Sequence, residues 1–307
     1  MKRLILTTSV LALSLTLGGT AHARPAHHRL RPVVSCDWLE SHVDMRGLVL
    51  LDVRTADEYA AGHIENSISI PFEVPLSAWI TVKDDLLLEL PEKTDLSNVL
   101  GDAGITERSR VVIVTSVAEP PYPLSNATRV AETLIYAGVE NVSILDGGYS
   151  AWLAEGRETT TDIPEVTPSV FDGTTNGEAF VDIDYVHGSI GRSLIVDARD
   201  AEVYSGEVTE PWAEKPGHIP SAVSLPTPLI WNEDGTYKSR EELKALAEEA
   251  LGEHSRHAEI IVYCGVGGYA SSWLYVLTEM LRYRDVKMYD GSAQEWVKFY
   301  DMELSTD

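Results

Sequence analysis

The octapeptide Cys264-Gly265-Val266-Gly267-Gly268-Tyr269-Ala270-Ser271 sets one nucleophilic side chain at the head of a glycine-rich stretch. It follows Ile260-Ile261-Val262-Tyr263, an apolar run of strand character. It precedes Ser272 to Tyr283, where Trp273, Val276, Leu277, Met280 and Leu281 recur at helical spacing as a buried face. The cysteine is therefore expected at the carboxyl end of a buried strand, just before a helix N-terminus, where open parallel sheets bind their ligands. Free N–H groups of a first helical turn favour negative charge. Glycines let successive N–H groups curl inward around an anion. Both effects favour thiolate over thiol, and the thiolate is the nucleophile. The same cradle suits a persulfide, whose outer sulfur carries the charge. On this reading Cys264 is catalytic, and Gly265, Val266, Gly267, Gly268 and Tyr269 bind the substrate.

The elements that hold this loop occur twice. Leu50-Leu51-Asp52-Val53-Arg54 is followed by Gly62-His63-Ile64 and Ser69-Ile70-Pro71, and Ile195-Val196-Asp197-Ala198-Arg199 by Gly217-His218-Ile219 and Ser224-Leu225-Pro226. A second strand follows in each half, Val111 to Val114 and Ile260 to Tyr263. Each half then closes on an Asp-Gly pair, Asp146-Gly147 before Trp152 and Asp290-Gly291 before Trp296. Steady order without further copies means two domains of one kind. The strands are short, β-branched and apolar on both faces. They alternate with helical stretches such as Ala127 to Ala137 and Arg240 to Ala250, which predicts an α/β fold with parallel sheets covered by helices. The expected domains are 33–157 and 178–304, with the Thr-, Pro-, Asp- and Gly-rich stretch 158–177 as the linker. Asp52–Arg54 and Asp197–Arg199 read as buried polar pairs that fix loops. His63 and His218 occupy matching places in both halves, so a structural role is expected for them. Trp38 or Tyr122 could reach into a cleft beside the loop, but an ordinary packing role is expected for each.

The chain has 307 residues and a formal net charge of −24. So acidic a chain repels nucleic acid and anionic membrane surfaces, and neither is an expected partner. Lys2-Arg3, the apolar run Leu4 to Leu17 and Ala21-His22-Ala23 read as a secretory signal peptide, residues 1–23, cleaved after Ala23. Export to the periplasm is the expectation, with no membrane insertion after cleavage. Cys36 and Cys264 are the two cysteines; their contexts differ, and a disulfide between them is not expected. No His, Cys or Asp grouping has metal-ligand spacing, and no phosphate-binding Gly-x-x-x-x-Gly-Lys run occurs.

With these features in hand, residues 33 to 304 resemble the tandem-domain rhodanese (sulfurtransferase) family. The resemblance rests on the Asp-x-Arg of each half, Gly-His-Ile, the strand-ending cysteine with its six-residue loop, and Asp290-Gly291-Ser292 followed by Glu295-Trp296. It implies two domains, each a parallel five-stranded sheet flanked by helices, with catalysis in the second. It implies a persulfide on Cys264 and a supporting place for Asp197 and Arg199 near the loop. It also implies a small sulfur donor of the thiosulfate or mercaptopyruvate class, a thiol, cyanide or protein acceptor, and no metal or organic cofactor. The first domain is expected to be non-catalytic and to wall one side of the cleft. Thr115 stands where the cysteine would fall, and the loop after it holds Pro120, Pro121 and Pro123 and no glycine. Thiosulfate-using members carry basic loop residues and mercaptopyruvate-using members Gly-Ser after the cysteine. Gly265 fits the second pattern, Val266 neither, and Val203 stands where an arginine is common. Lys215 and Arg192 are then the cations left to hold an anionic donor. Two rival readings follow. One is a persulfide carrier or binding module serving a protein partner. The other is a cysteine phosphatase or arsenate reductase, which needs Cys-x5-Arg and meets Ala270 instead.

Overall fold

The computed structural model describes residues 30–117, 122–252 and 258–305. The signal-peptide expectation for residues 1–23 and the prolines at 120 and 121 lie outside the described residues.

The strands in chain order are β1 (Val33–Val34), β2 (Leu48–Asp52), β3 (Ser67–Ser69), β4 (Thr81–Lys83), β5 (Leu86–Glu89), β6 (Arg110–Val114) and β7 (Asn141–Leu145). In the second half they are β8 (Phe180–Val181), β9 (Leu194–Asp197), β10 (Val223–Ser224), β11 (Ile260–Tyr263) and β12 (Val286–Tyr289). Two five-stranded sheets result, ordered β1-β7-β6-β2-β3 and β8-β12-β11-β9-β10 when read from the same edge. Every pairing within them is parallel. The repeat in the sequence is thus a repeat in topology. Leu50, Leu51, Val112 and Ile113 in one sheet, and Ile195, Val196, Ile261 and Val262 in the other, are all buried, as strands covered on both faces require.

Local chemistry starts several helices where the chain alone would place them. Ser239 and Glu242 form a capping box at the head of helix Arg240–Leu251, and Thr55 and Glu58 another at helix Ala56–Ala61. Ser35 accepts from the N–H of Trp38 at the start of helix Cys36–Glu40. The helix after the active loop differs from expectation. It begins at Gly268, not Ser272, runs to Tyr275, and continues as a wider π turn over Val276–Met280. Its residues Ala270 through Leu277 are buried all round, because a second domain covers the face that a lone domain would expose.

That covering element is helix Tyr122–Ala137 of the first half. Thr128 Oγ1 lies 3.0 Å from Ser271 Oγ and 2.8 Å from Ser272 Oγ, so small hydroxyl side chains let the two helices approach. Each domain also extends an arm onto the other. The β4–β5 hairpin of the first pairs the Leu87 N–H and carbonyl with the Gln294 amide, at 2.9 Å each, and the Leu90 N–H donates to Asp290 Oδ2 at 2.9 Å. In return the Tyr237 N–H of the second domain donates to Asp146 Oδ1 at 2.8 Å. Arg129, fully buried, pairs with Asp290 at 2.7 Å across the same boundary. One hydrophobic cluster runs from Leu51 and Leu134 through to Trp273 and Met288, so the domains share a core. Stretch 158–177 is bound to the first domain along its course. Thr160 bridges His63, the Ser169 N–H donates to the Gly101 carbonyl, and Phe171 is buried.

Candidate functional site

Cys264 directly follows β11, the central strand of the second sheet, and is closed in, 2% exposed. Its Sγ accepts a hydrogen bond from the Gly267 N–H at 3.1 Å. Gly267 has φ of +88°, a left-handed conformation that turns its N–H toward the sulfur and that a side chain would oppose. The loop is gripped from behind by the start of helix Ser292–Phe299. The Cys264 N–H donates to Ser292 Oγ at 3.3 Å, and the carbonyls of Cys264 and Gly265 accept from the N–H groups of Ala293 and Gln294 at 2.9 and 3.0 Å.

The predicted loop residues come together, with separate parts to play. Val266 packs against the shared core, and Gly268 faces Leu88 of the first domain's hairpin. Tyr269 is held by its carbonyl, which accepts from Thr227 Oγ1 at 3.0 Å, and its ring stacks on Tyr122 with centroids 5.8 Å apart. Tyr122 therefore does not take the packing role favoured from the sequence but the alternative, reaching toward the loop. It is 62% exposed and reaches the rim of the loop from the other domain, because helix Tyr122–Ala137 begins there. Trp38 stacks on His42 at 4.4 Å, within the first domain. His63 and His218 each stack on a tyrosine, Tyr59 and Tyr204, and each places Nδ1 2.9 Å from that tyrosine's carbonyl.

Asp197 and Arg199 stand beside the loop. Arg199 donates through Nε and Nη2 to the Asp197 carboxylate, at 2.6 Å for the shorter contact, and through Nη2 to the Gly217 carbonyl at 2.7 Å. Tyr263, the residue before Cys264, donates its hydroxyl to Asp197 Oδ2 at 2.6 Å. The remaining Arg199 nitrogen, Nη1, faces Glu210 Oε2 at 3.5 Å.

Glu210 and Trp212 are the residues the sequence reading missed. They lie over Gly265 so closely that a methyl group there would sit 2.2 Å from Trp212 Nε1 and 2.8 Å from Glu210 Oε2. The signal was in the spacing. Arg54 and Gly62 are 8 residues apart, whereas Arg199 and Gly217 are 18 apart, so the second half carries ten extra residues here. Those residues form the cover of the loop.

Electrostatics alter the expected state of the sulfur. Burial pushes the Cys264 thiol up from its ordinary range. The N–H groups of Ala270, Val266 and Gly267 pull the other way, and the Glu210 carboxylate adds to the rise. The cradle of N–H groups is present, but desolvation outweighs it, and the resting sulfur is held toward the thiol. The cations proposed from sequence do not compensate. Lys215 is bound to the Tyr300 carbonyl at 2.7 Å and to Asp301 at 2.8 Å. Arg192 lines a cavity with Glu259, which precedes β11, so it stands at the opposite end of the sheet from Cys264. Val203 is buried and brings no charge. Among the described residues no grouping of His, Cys, Asp and Glu could hold a metal ion, and no helix is long and apolar enough to cross a membrane. Both cysteines are free and buried, Cys36 in the first domain's outer core.

The model of the rhodanese-like domain matches residues 35–155 and 183–299. The chain belongs to the rhodanese family. A Mycobacterium leprae protein provisionally named a thiosulfate sulfurtransferase is 31% identical over 275 residues, covering 86% of this chain and 94% of its own length. A Haloferax volcanii protein of the same provisional name is 33% identical over 286 residues, covering 86% and 92%. Among solved structures, SseA from Escherichia coli, described as a 3-mercaptopyruvate sulfotransferase of rhodanese fold, is 28% identical. It superposes with a TM-score of 0.72 over 86% of this chain and 99% of its own. Two rhodanese domains in tandem, of which one carries the loop cysteine, are thus the frame in which the site is read.

Proposed function

We propose that this rhodanese-family protein is a sulfurtransferase that carries sulfur as a persulfide on Cys264. A small donor of the thiosulfate or mercaptopyruvate class supplies the sulfur, and a thiol or cyanide takes it away. The observation that carries the reading is the position of Sγ: it directly follows the central strand of the second sheet and lies 3.1 Å from the Gly267 nitrogen, which donates to it, and the N–H groups of Val266 and Ala270 add to the pull toward thiolate. Cys264 attacks the outer sulfur of the donor, the donor remnant leaves with the bonding pair, and the N–H groups hold the charge of the persulfide. An acceptor then attacks the outer sulfur and Sγ departs as thiolate. Asp197 and Arg199 hold the loop's flank and do not touch sulfur.

The test offers thiosulfate and 3-mercaptopyruvate separately and reads intact mass. A gain of one sulfur atom that disappears in Cys264→Ala is the expected result. No gain from either donor, together with turnover of a phosphate ester, would reverse the reading in favour of the phosphatase class, which Ala270 disfavours. The acidic surroundings of the loop support a second reading, a persulfide carrier that serves a protein acceptor; sulfur loaded but never released to a small thiophile would select it. Export to the periplasm is proposed on the basic start, apolar run and Ala21-His22-Ala23 of the N-terminus. Recovery of the protein in the periplasmic fraction with Arg24 as its first residue tests it.

A further inference from the structure

We propose that the cover over Cys264 selects a positively charged sulfur acceptor, and that Glu210 is the residue that sets this preference. The inference rests on the persulfide reading above and adds the charge class of its second substrate.

Glu210 is held against the loop at Gly265 with its side chain 16% exposed, and its charge acts on the Cys264 sulfur. Its partners within the protein are Arg199 and the Trp212 side chain, and Arg199 is largely committed. Arg199 gives two nitrogens to Asp197 and the Gly217 carbonyl and reaches Glu210 with the third at only 3.5 Å. Two carboxylates thus share one guanidinium, and the group keeps a net negative charge. Burial raises the Glu210 carboxyl above its ordinary range, while Arg199 opposes that rise. A cation arriving beside it would offset the cost of desolvation. The charge of Asp200 also acts on the Tyr269 hydroxyl.

The rest of the rim is aromatic. Trp212, 39% exposed, stands over Gly265, and Tyr269 stacks with Tyr122 across the domain boundary. Aromatic faces beside carboxylates bind ammonium-type groups. Residues 264–271 contain no lysine or arginine, Lys215 is engaged elsewhere, Arg192 lines a cavity with Glu259, and Arg129, behind Gly267, is spent on Asp290 and the Leu88 carbonyl. The loop and its cover therefore join an anion-stabilising cradle at the sulfur to a cation-favouring rim above it. An acceptor with a thiolate at one end and an ammonium at the other would satisfy both.

The transfer step balances without a further reactant. The acceptor thiol loses its proton to solvent, and its sulfur attacks the outer sulfur of the Cys264 persulfide. A new sulfur–sulfur bond forms as the bond to Sγ breaks. The electron pair of that bond remains on Sγ, which leaves as thiolate, and the acceptor departs as a persulfide.

The protein is loaded with inorganic polysulfide, and the gain of sulfur is verified by intact mass. Loaded protein is then mixed with cysteamine, 2-mercaptoethanol or mercaptoacetate, and loss of the persulfide is timed at equal thiolate concentration. Cysteamine should react about tenfold faster than mercaptoacetate, with the neutral thiol between them; tenfold corresponds to about 1.4 kcal/mol. Glu210→Gln should remove most of that spread, and Glu214→Gln, an exposed acid on the same segment, should keep it. Loading that succeeds with equal rates for the three thiols, or with the anion fastest, would overturn the charge preference and leave the persulfide standing. Failure to load sulfur at all would overturn the persulfide reading and this inference with it.

Discussion

The two halves of the molecule share one scaffold and differ at one loop. Asp52 and Arg54 repeat the geometry of Asp197 and Arg199 almost contact for contact: Nη2 to the carboxylate is 2.6 Å in both, and Nη2 to the glycine carbonyl is 2.9 and 2.7 Å. The loop grip also recurs, for the Tyr149 N–H donates to the Thr115 carbonyl at 2.8 Å as the Ala293 N–H does to that of Cys264 at 2.9 Å. Gly148 occupies the place of Ser292, at a left-handed φ of +54° against +51°. What differs is the tip. Thr115 spends its hydroxyl on the Pro123 carbonyl at 2.8 Å, and Arg54 lies over the Tyr149 ring at 3.6 Å where Arg199 faces a second carboxylate, Glu210. A cavity of about 220 Å³ survives beside Arg54 and Thr115. The shared parts are therefore the means of building the fold. The chemistry belongs to the cysteine, its glycines and the ten-residue cover present on one side only.

This comparison can be broken most severely at the strand ends. Cys264→Ser should lower sulfur transfer by ~10³-fold or more, since no other group can take over the nucleophile's part. Adding Thr115→Cys to that variant should restore nothing, because the first loop lacks the glycine cradle. Recovery of sulfur loading at position 115, read by intact mass, would show that the scaffold alone suffices. The paired clamps offer a second test. Asp52→Ala and Asp197→Ala each strand a buried arginine and should each cost about 3–5 kcal/mol in denaturant unfolding. At a temperature where both variants are folded, only Asp197→Ala should also slow sulfur loading, because Tyr263 and Glu210 depend on that clamp.

A subtler difference lies in pH. The raised Cys264 thiol yields more thiolate as pH rises, so loading should accelerate with an inflection above the ordinary cysteine range. Glu210→Gln removes a negative neighbour and should move that inflection to lower pH. Movement to higher pH, or none, in stopped-flow loading would show that Glu210 does not act on the sulfur. The smallest effect concerns the two helices that follow the loops. Glu132, in helix Tyr122–Ala137, is wholly buried; desolvation and the nearby Glu279 hold its carboxyl well above the usual range, against the pull of Arg129. The folded state then binds a proton that the unfolded state gives up. Stability contributed this way is present at acid pH, and it falls as pH rises from the unfolded carboxylate range through the folded value. Glu132→Gln should flatten that decline, with a urea midpoint raised at pH 8 and little changed at pH 4.

Much of the framework was legible because it is local or repeated. Ser239 and Glu242, or Thr55 and Glu58, announce helix starts within four residues. The β-branched runs announce covered strands, and the strand Ile260–Tyr263 was read to its ends. The extent of the active helix was less legible. Glycines at 267 and 268 resemble loop, yet the carbonyl of Gly268 already accepts from Ser271 Oγ at 2.7 Å, inside the first turn. The cover of the loop went unread although its insertion length was visible, because an acidic stretch with Pro211 and Pro216 looks like any solvated connection.

The sequence by itself determined that two copies of one α/β domain exist, that one copy holds a cysteine at a strand end before glycines, and that the other holds threonine and prolines. These are statements about residue type and order along the chain, which strand geometry and glycine conformations translate directly into structure. Only the tertiary structure decided that Glu210 and Trp212 stand over the loop and that Tyr122 crosses from the other domain. It alone decided that Lys215 and Arg192 face elsewhere, and that Cys264 is held toward thiol and not thiolate. Those outcomes depend on distance and burial between groups far apart in sequence. The balance between a desolvated sulfur, three N–H groups and a carboxylate is settled only when the fold brings them within a few ångströms.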